Sequence, residues 1–144
     1  MQSMKRQITF LLVSGMTFLA ASADCAGAGA AAPAPCEVLS AGEWSSIMGY
    51  TAIATPGDMN CTYEGKGGGG QLRIMAVAGS SAEAAAGAER LRELGKGGPN
   101  AWRGAVESQG PVVFSISLFQ REPTEKTASQ LKKLVDAAKQ HLPK

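Results

Sequence analysis

The sequence predicts an α+β domain: a four-stranded antiparallel sheet with helices on one face, in the order helix, strand, strand, helix, strand, strand, helix. Three observations carry this expectation. Ser40-Ala-Gly-Glu43 and Ser80-Ser-Ala-Glu83 are capping boxes, in which a serine accepts from the third helical amide and a glutamate reaches back to the cap. Val112, Phe114, Ile116 and Leu118 alternate with Ser115 and Ser117, the pattern of a half-buried strand. Helices then interrupt two hairpins instead of separating every strand, so the sheet is expected to be antiparallel.

In chain order, Leu39 and Trp44 are spaced for the hydrophobic staple of the first helix, which runs through Ile47 and Met48 and stops at Gly49. A brief extended segment, Tyr50 to Ala54, leads into the turn Thr55-Pro-Gly-Asp58. Met59 to Glu64 reads as a strand, Gly65-Lys-Gly-Gly-Gly-Gly70 as a loop, and Gln71 to Ala78 as a strand with Leu72, Ile74 and Ala76 on one face. The second helix places Ala84, Ala88, Leu91 and Leu94 on one stripe and ends at Gly95. A loop at Gly97-Gly-Pro-Asn100 precedes a hairpin of Ala101–Glu107 and Val112–Gln120 around Ser108-Gln-Gly-Pro111. Thr124 to Leu142 is a final helix with Leu131, Leu134, Val135, Ala138 and Leu142 along one face.

The first residues carry an export signal. Lys5 and Arg6 form a positive start, Ile8 to Ala21 is an apolar run too short to span a bilayer comfortably, and Ala21-Ser-Ala23 is the small-x-small cleavage pattern. Residues 1–23 are therefore expected to be removed, leaving no transmembrane span. Residues 24–35 form an Ala/Gly/Pro tether, and residues 36–144 form one domain. Periplasmic or secreted location follows, in a compartment where disulfides persist. Of the 3 cysteines, Cys36 and Cys61 flank a compact segment and are the expected bridge, worth roughly 3 kcal/mol. Cys25 lies in the tether beside the cleavage site. A lipid anchor there is opposed by Asp24, where a small residue belongs, and a free thiol or an intermolecular disulfide are the alternatives.

Losing Lys5 and Arg6 from 14 basic residues equalises them with the 12 acidic ones, which argues against a nucleic-acid partner. The charges are nevertheless segregated along the chain, with acidic residues from Asp24 to Glu64 and basic ones predominating from Lys66 onward. Either a bipolar surface orients a partner or the two sets mingle on folding.

Pro35-Cys-Glu-Val-Leu-Ser-Ala-Gly-Glu-Trp44, Met48-Gly-Tyr50 and Asn60-Cys-Thr-Tyr63 together resemble the N-terminal half of small exported bacterial proteins of unknown function, many of them actinobacterial lipoproteins. The resemblance spans residues 35–63 and implies a Cys36–Cys61 bridge in a disulfide-linked α+β domain. It brings no catalytic residues.

Catalytic chemistry finds few candidates. Gly65 to Gly70 satisfies G-x-G-x-x-G, but a strand follows where a dinucleotide site needs a helix. His141 is the sole histidine and sits where the dipole of a helix end suits it. Glu43 and Asp58, which with Glu37 and Glu64 could form a carboxylate pair, have capping and turn duties. Met48, Met59 and Met75 read as core filler and not as copper ligands, there is no C-x-x-C, and no metal or cofactor is expected. The expected function is thus non-enzymatic: an inhibitor or immunity-type protein that binds a protein partner in the bacterial envelope. The alternative is a binder of a small molecule or cell-wall ligand. The contact surface is expected on the glycine-rich loops, at Lys66, Gly68, Lys96, Asn100 and Trp102.

Overall fold

A computed structural model describes residues 31–96, 104–119 and 124–144. The expected export signal and cleavage site, Cys25, Asn100 and Trp102 lie outside the described residues. The elements are α1 (Pro35–Val38), α2 (Ala41–Met48), β1 (Ile53–Pro56), β2 (Asn60–Gly65), β3 (Gly68–Val77), α3 (Ser81–Gly95), β4 (Gly104–Gln109), β5 (Val112–Leu118) and α4 (Glu125–His141). The class is α+β, as expected, but the sheet has 5 strands, in the order β1-β2-β3-β5-β4. Every neighbouring pair is antiparallel. The extra strand is the extended segment before Pro56, which pairs with β2 from Ile53↔Glu64 to Pro56↔Cys61. It escapes the sequence pattern because it is only 4 residues long and ends on the turn-forming Pro56.

The helices are also not confined to one face, which corrects the second part of the expectation. The inner face, carrying Cys61, Tyr63, Leu72, Ile74, Phe114 and Ile116, packs with Val38 and Leu39, Trp44 of α2 and Leu134 of α4 in one buried cluster. On the outer face α3 packs over β4 and β5. There Ala84 and Ala88 meet Val106 and Val113 in a second, smaller cluster. Small residues on α3 allow the helix to lie close to the strands. Leu94, expected in the same stripe, is 79% exposed. At about 100° per residue it has turned well away from the line through Ala84, Ala88 and Leu91.

Local signals hold where they are complete. Ser40 accepts from the Glu43 amide, and Glu43 Oε2 accepts from the Ser40 amide at 3.0 Å. Gly49 closes α2 in the left-handed region, at φ 79°. The second box is half-made: Ser80 accepts from the Glu83 amide, but Glu83 Oε2 accepts from Gly79 N–H, one residue before the cap. A register shift between Ile74 and Ala76 bulges β3, so Ala76 pairs with Val113 and is exposed instead of following Leu72 and Ile74 into the inner core.

The glycine-rich run is not a loop. β2 continues to Gly65 and β3 starts at Gly68, leaving Lys66-Gly67 as a two-residue turn. Its glycines make room for aromatic rings. A methyl on Gly70 would stand 2.5 Å from the Trp44 indole, and one on Gly67 would stand 2.5 Å from the Tyr50 ring.

Candidate functional site

The region around the disulfide is a structural centre. Cys36 of α1 and Cys61 of β2 are bonded, with Cα atoms 5.0 Å apart. Beside them the Trp44 and Tyr63 rings stack with centroids 4.1 Å apart and planes within 4°. Trp44 Nε1–H donates to the Tyr50 hydroxyl at 3.1 Å, and the Tyr63 hydroxyl donates to the Leu39 carbonyl. Burial pushes the Tyr63 phenol up, with the nearby Glu43 charge adding to the effect. Fully buried and bonded to a backbone carbonyl, the Tyr63 phenol ties β2 to the segment that leads into α2.

The polar residues singled out in the sequence are dispersed. Glu43 belongs to α2 and His141 to α4, on the inner side, where His141 Nε2 lies 2.7 Å from Glu43 Oε1. Partial burial pushes the Glu43 carboxyl up, but bonds from the Ser40 amide, His141 and the Ser40 hydroxyl hold it below the usual carboxylate range. Glu64 is paired with Gly69 on the outer face, so the sheet itself separates it from Glu43. Glu43 from the acidic first third and His141 of α4 thus meet on the inner side. Among the described residues no three His, Cys, Asp or Glu side chains gather as a metal cluster. No helix among them is long and apolar enough to cross a membrane.

Three of the expected contact residues, Lys66, Gly68 and Lys96, are among the described residues and share one end of the sheet. Lys66 lies in the turn between β2 and β3, and Gly68 is the first residue of β3. Helix α3 starts after the far end of β3 and runs back along the sheet, as the Gly87–Val113 approach and the bond from Arg92 Nε to Val106 O mark out in turn. Lys96 at its close is therefore at the same end as Lys66, and it is held by Glu93, whose bond raises the lysine pKa.

A surface that composition does not reveal adjoins this end. Because α3 covers only the β4–β5 half of the outer face, the outer side of β1, β2 and the first part of β3 carries no described helix. Register arranges its side chains in rows. Ile53, Glu64, Gly69 and Phe119 form the row nearest the Lys66 turn, the Phe119 ring lying beside Gly69. Thr55, Thr62, Gln71 and Ser117 form the next, and Asn60 and Arg73 the third, which ends against the buried Ser115 of β5. Asn60 Nδ2–H and Gln71 Nε2–H both donate to Thr62 Oγ1, at 3.3 and 3.5 Å, which ties the middle of the patch together. Ile53 and Phe119 are 72% and 57% exposed, large apolar groups at opposite sides of a polar field. Sequence reasoning missed this patch because Thr, Gln and Asn on alternate strand positions are the ordinary mark of a solvated face. Only the position of α3 shows which half of that face is left open.

The β1 edge beside the patch is a poor template for an added strand. Ala52 N–H is already bonded to Ser45 Oγ at 2.9 Å, and Pro56 has no N–H to offer. Binding here would use the face. Comparison with protein-family models, with curated proteins and with solved structures finds no match for this chain.

Proposed function

We propose that this protein is an exported, non-enzymatic binding protein that holds a protein partner in the bacterial envelope, in the manner of an inhibitor or immunity protein. The observation that carries the reading is the open half of the outer face. Ile53 and Phe119 are exposed on a sheet stiffened by a disulfide and by the stacked Trp44 and Tyr63 behind it. Glu64 lies between the two apolar groups in their row, and Thr62, Gln71 and Arg73 stand in the rows beside it, offering charge of both signs, a hydroxyl donor and amide donors and acceptors. A rigid patch of this kind loses little conformational entropy when covered, which favours binding by a preformed surface. The Lys66 turn at the end of the patch extends the contact, and it keeps part of the surface expected from the sequence.

Export is supported by the N-terminal signal pattern and by the disulfide, which persists in oxidising compartments. The test is capture of partners from an envelope fraction, with crosslinking, using the wild-type protein and an Ile53→Asp/Phe119→Ala variant. Both side chains are exposed, so the variant is expected to melt within a few degrees of wild type while losing the captured polypeptide. Retention of the same polypeptide by the folded variant would refute the patch. Co-purification of a small molecule or glycan in place of a polypeptide would favour the ligand-binding alternative.

A further inference from the structure

We infer that the β4 edge is a latent interface for a second copy of this chain, and that Arg92 keeps it closed. The two-residue turn Gly110-Pro111 makes Gln109 and Val112 the closing hydrogen-bonded pair of the β4–β5 hairpin. Alternation along β4 then leaves Gly104, Val106 and Ser108 with their backbone N–H and C=O groups directed away from β5, along the edge of the sheet. Unlike the β1 edge, this edge has 6 residues and no proline. Two copies related by a two-fold axis at Val106 would pair Val106 with Val106 and Gly104 with Ser108, joining two sheets into one.

Arg92 closes this template. Its Nε–H donates to the Val106 carbonyl at 2.8 Å, taking the acceptor at the centre of the edge. Its guanidinium is anchored on both sides of the strand. One nitrogen meets Glu89 of α3 on the outer layer, and another lies 3.9 Å from Glu107. Glu107 shares the inner side of β4 with Phe114 and is itself held by Lys139 of α4 at 3.1 Å. Among the described residues no strand pairs with this edge, and the arginine side chain crosses it from one helical layer toward the other, a strap fastened at both ends. A flat edge of this length left bare is a standing risk of strand pairing between molecules, and a positive group laid across it is a recurrent means of preventing that.

The test is self-association of Arg92→Ala and Arg92→Gln by sedimentation velocity over a rising concentration series. Both substitutions keep a strong helix former at a half-buried position of α3, so the far-ultraviolet spectrum is expected to be unchanged. The variants are expected to self-associate at least tenfold more tightly than wild type, with a dimer as the limiting species. Adding Ser108→Pro, which removes an outward donor at the edge, is expected to return the variant to monomer. A folded Arg92 variant that associates no more than wild type would overturn the inference. So would a dimer that survives Ser108→Pro, because its interface would lie elsewhere.

Discussion

Substituting alanine at two glycines should move stability in opposite directions, for reasons visible only in the packing. At Gly70 an added methyl would stand 2.5 Å from both the Trp44 ring and the Ser117 carbonyl oxygen. Trp44 is fully buried and stacked on Tyr63, and the Ser117 carbonyl belongs to the backbone of β5, so neither neighbour can retreat freely. Overpacking of this kind costs about 1–3 kcal/mol, and two rigid neighbours place Gly70→Ala near the upper end. The smaller entropy of the unfolded alanine chain offsets about 0.4–1 kcal/mol, leaving a net loss of about 2 kcal/mol. At Gly87, in the middle of α3, the same methyl would meet Val113 at 3.8 Å, an ordinary contact. Alanine there gains about 0.8–1 kcal/mol of helix propensity and adds apolar contact. At about 4–8 °C per kcal/mol for a domain near this size, the melting temperature should fall by roughly 8–16 °C for Gly70→Ala and rise by about 3–8 °C for Gly87→Ala. The assay is thermal unfolding of both variants beside wild type, with Gly70→Ala repeated in a Trp44→Phe background. Phenylalanine lacks the outer ring atoms that the new methyl strikes, so the loss should shrink by about 1 kcal/mol in that background. A Gly70→Ala protein as stable as wild type, or a full loss retained with Trp44→Phe, would refute the account of the glycine-rich run as space made for aromatic rings.

Replacing both Cys36 and Cys61 with serine releases a cross-link of sequence separation 25 and should cost about 3.5 kcal/mol, read as a lower urea midpoint than oxidised wild type. Unchanged midpoints would mean that the unfolded chain is compact enough not to feel the bond. The Glu43 carboxyl is held below its usual value of 4.5, so its contribution is complete above that pH and disappears as the pH falls through the lowered value. Glu43→Gln should therefore melt below wild type at neutral pH, with the gap closing in acid. A gap that widens toward low pH would contradict the sign.

How much of this was legible beforehand depends on the reach of each signal. The Ser40–Glu43 cap and the glycine stop at Gly49 act within one turn and stand as the sequence implies. Segment β5 is a strand, as its alternation implies, but it is buried on both faces, with Val113 packed under α3 and Ser115 buried beside it. Short β1 has too few residues to show a period, and its Pro56 reads as a turn. The bulge at Ile74/Ala76 defeats strict alternation because one added residue reverses the side chains that follow. Lys66, Gly68 and Lys96 come to one end of the fold, but the glycines between them serve Tyr50 and Trp44, which no local rule could foresee.

By itself, then, the sequence determined the α+β class, most of its helices and strands, and the cysteine pair that closes the first third of the domain. Those features follow from hydrogen bonding at helix ends, from the strand period, and from the placement of two cysteines around a compact segment. The tertiary structure alone decided that β5 inserts between β3 and β4 and that α3 crosses to the face opposite α4. Both choices rest on contacts between segments far apart in the chain: Leu72 meeting Ile116, and Ala84 and Ala88 meeting Val113 and Val106. The open patch beside α3 and the edge beneath Arg92 are consequences of those choices. Side chains such as Thr62, Gln71 and Arg92 are ordinary surface residues until the layers around them are placed.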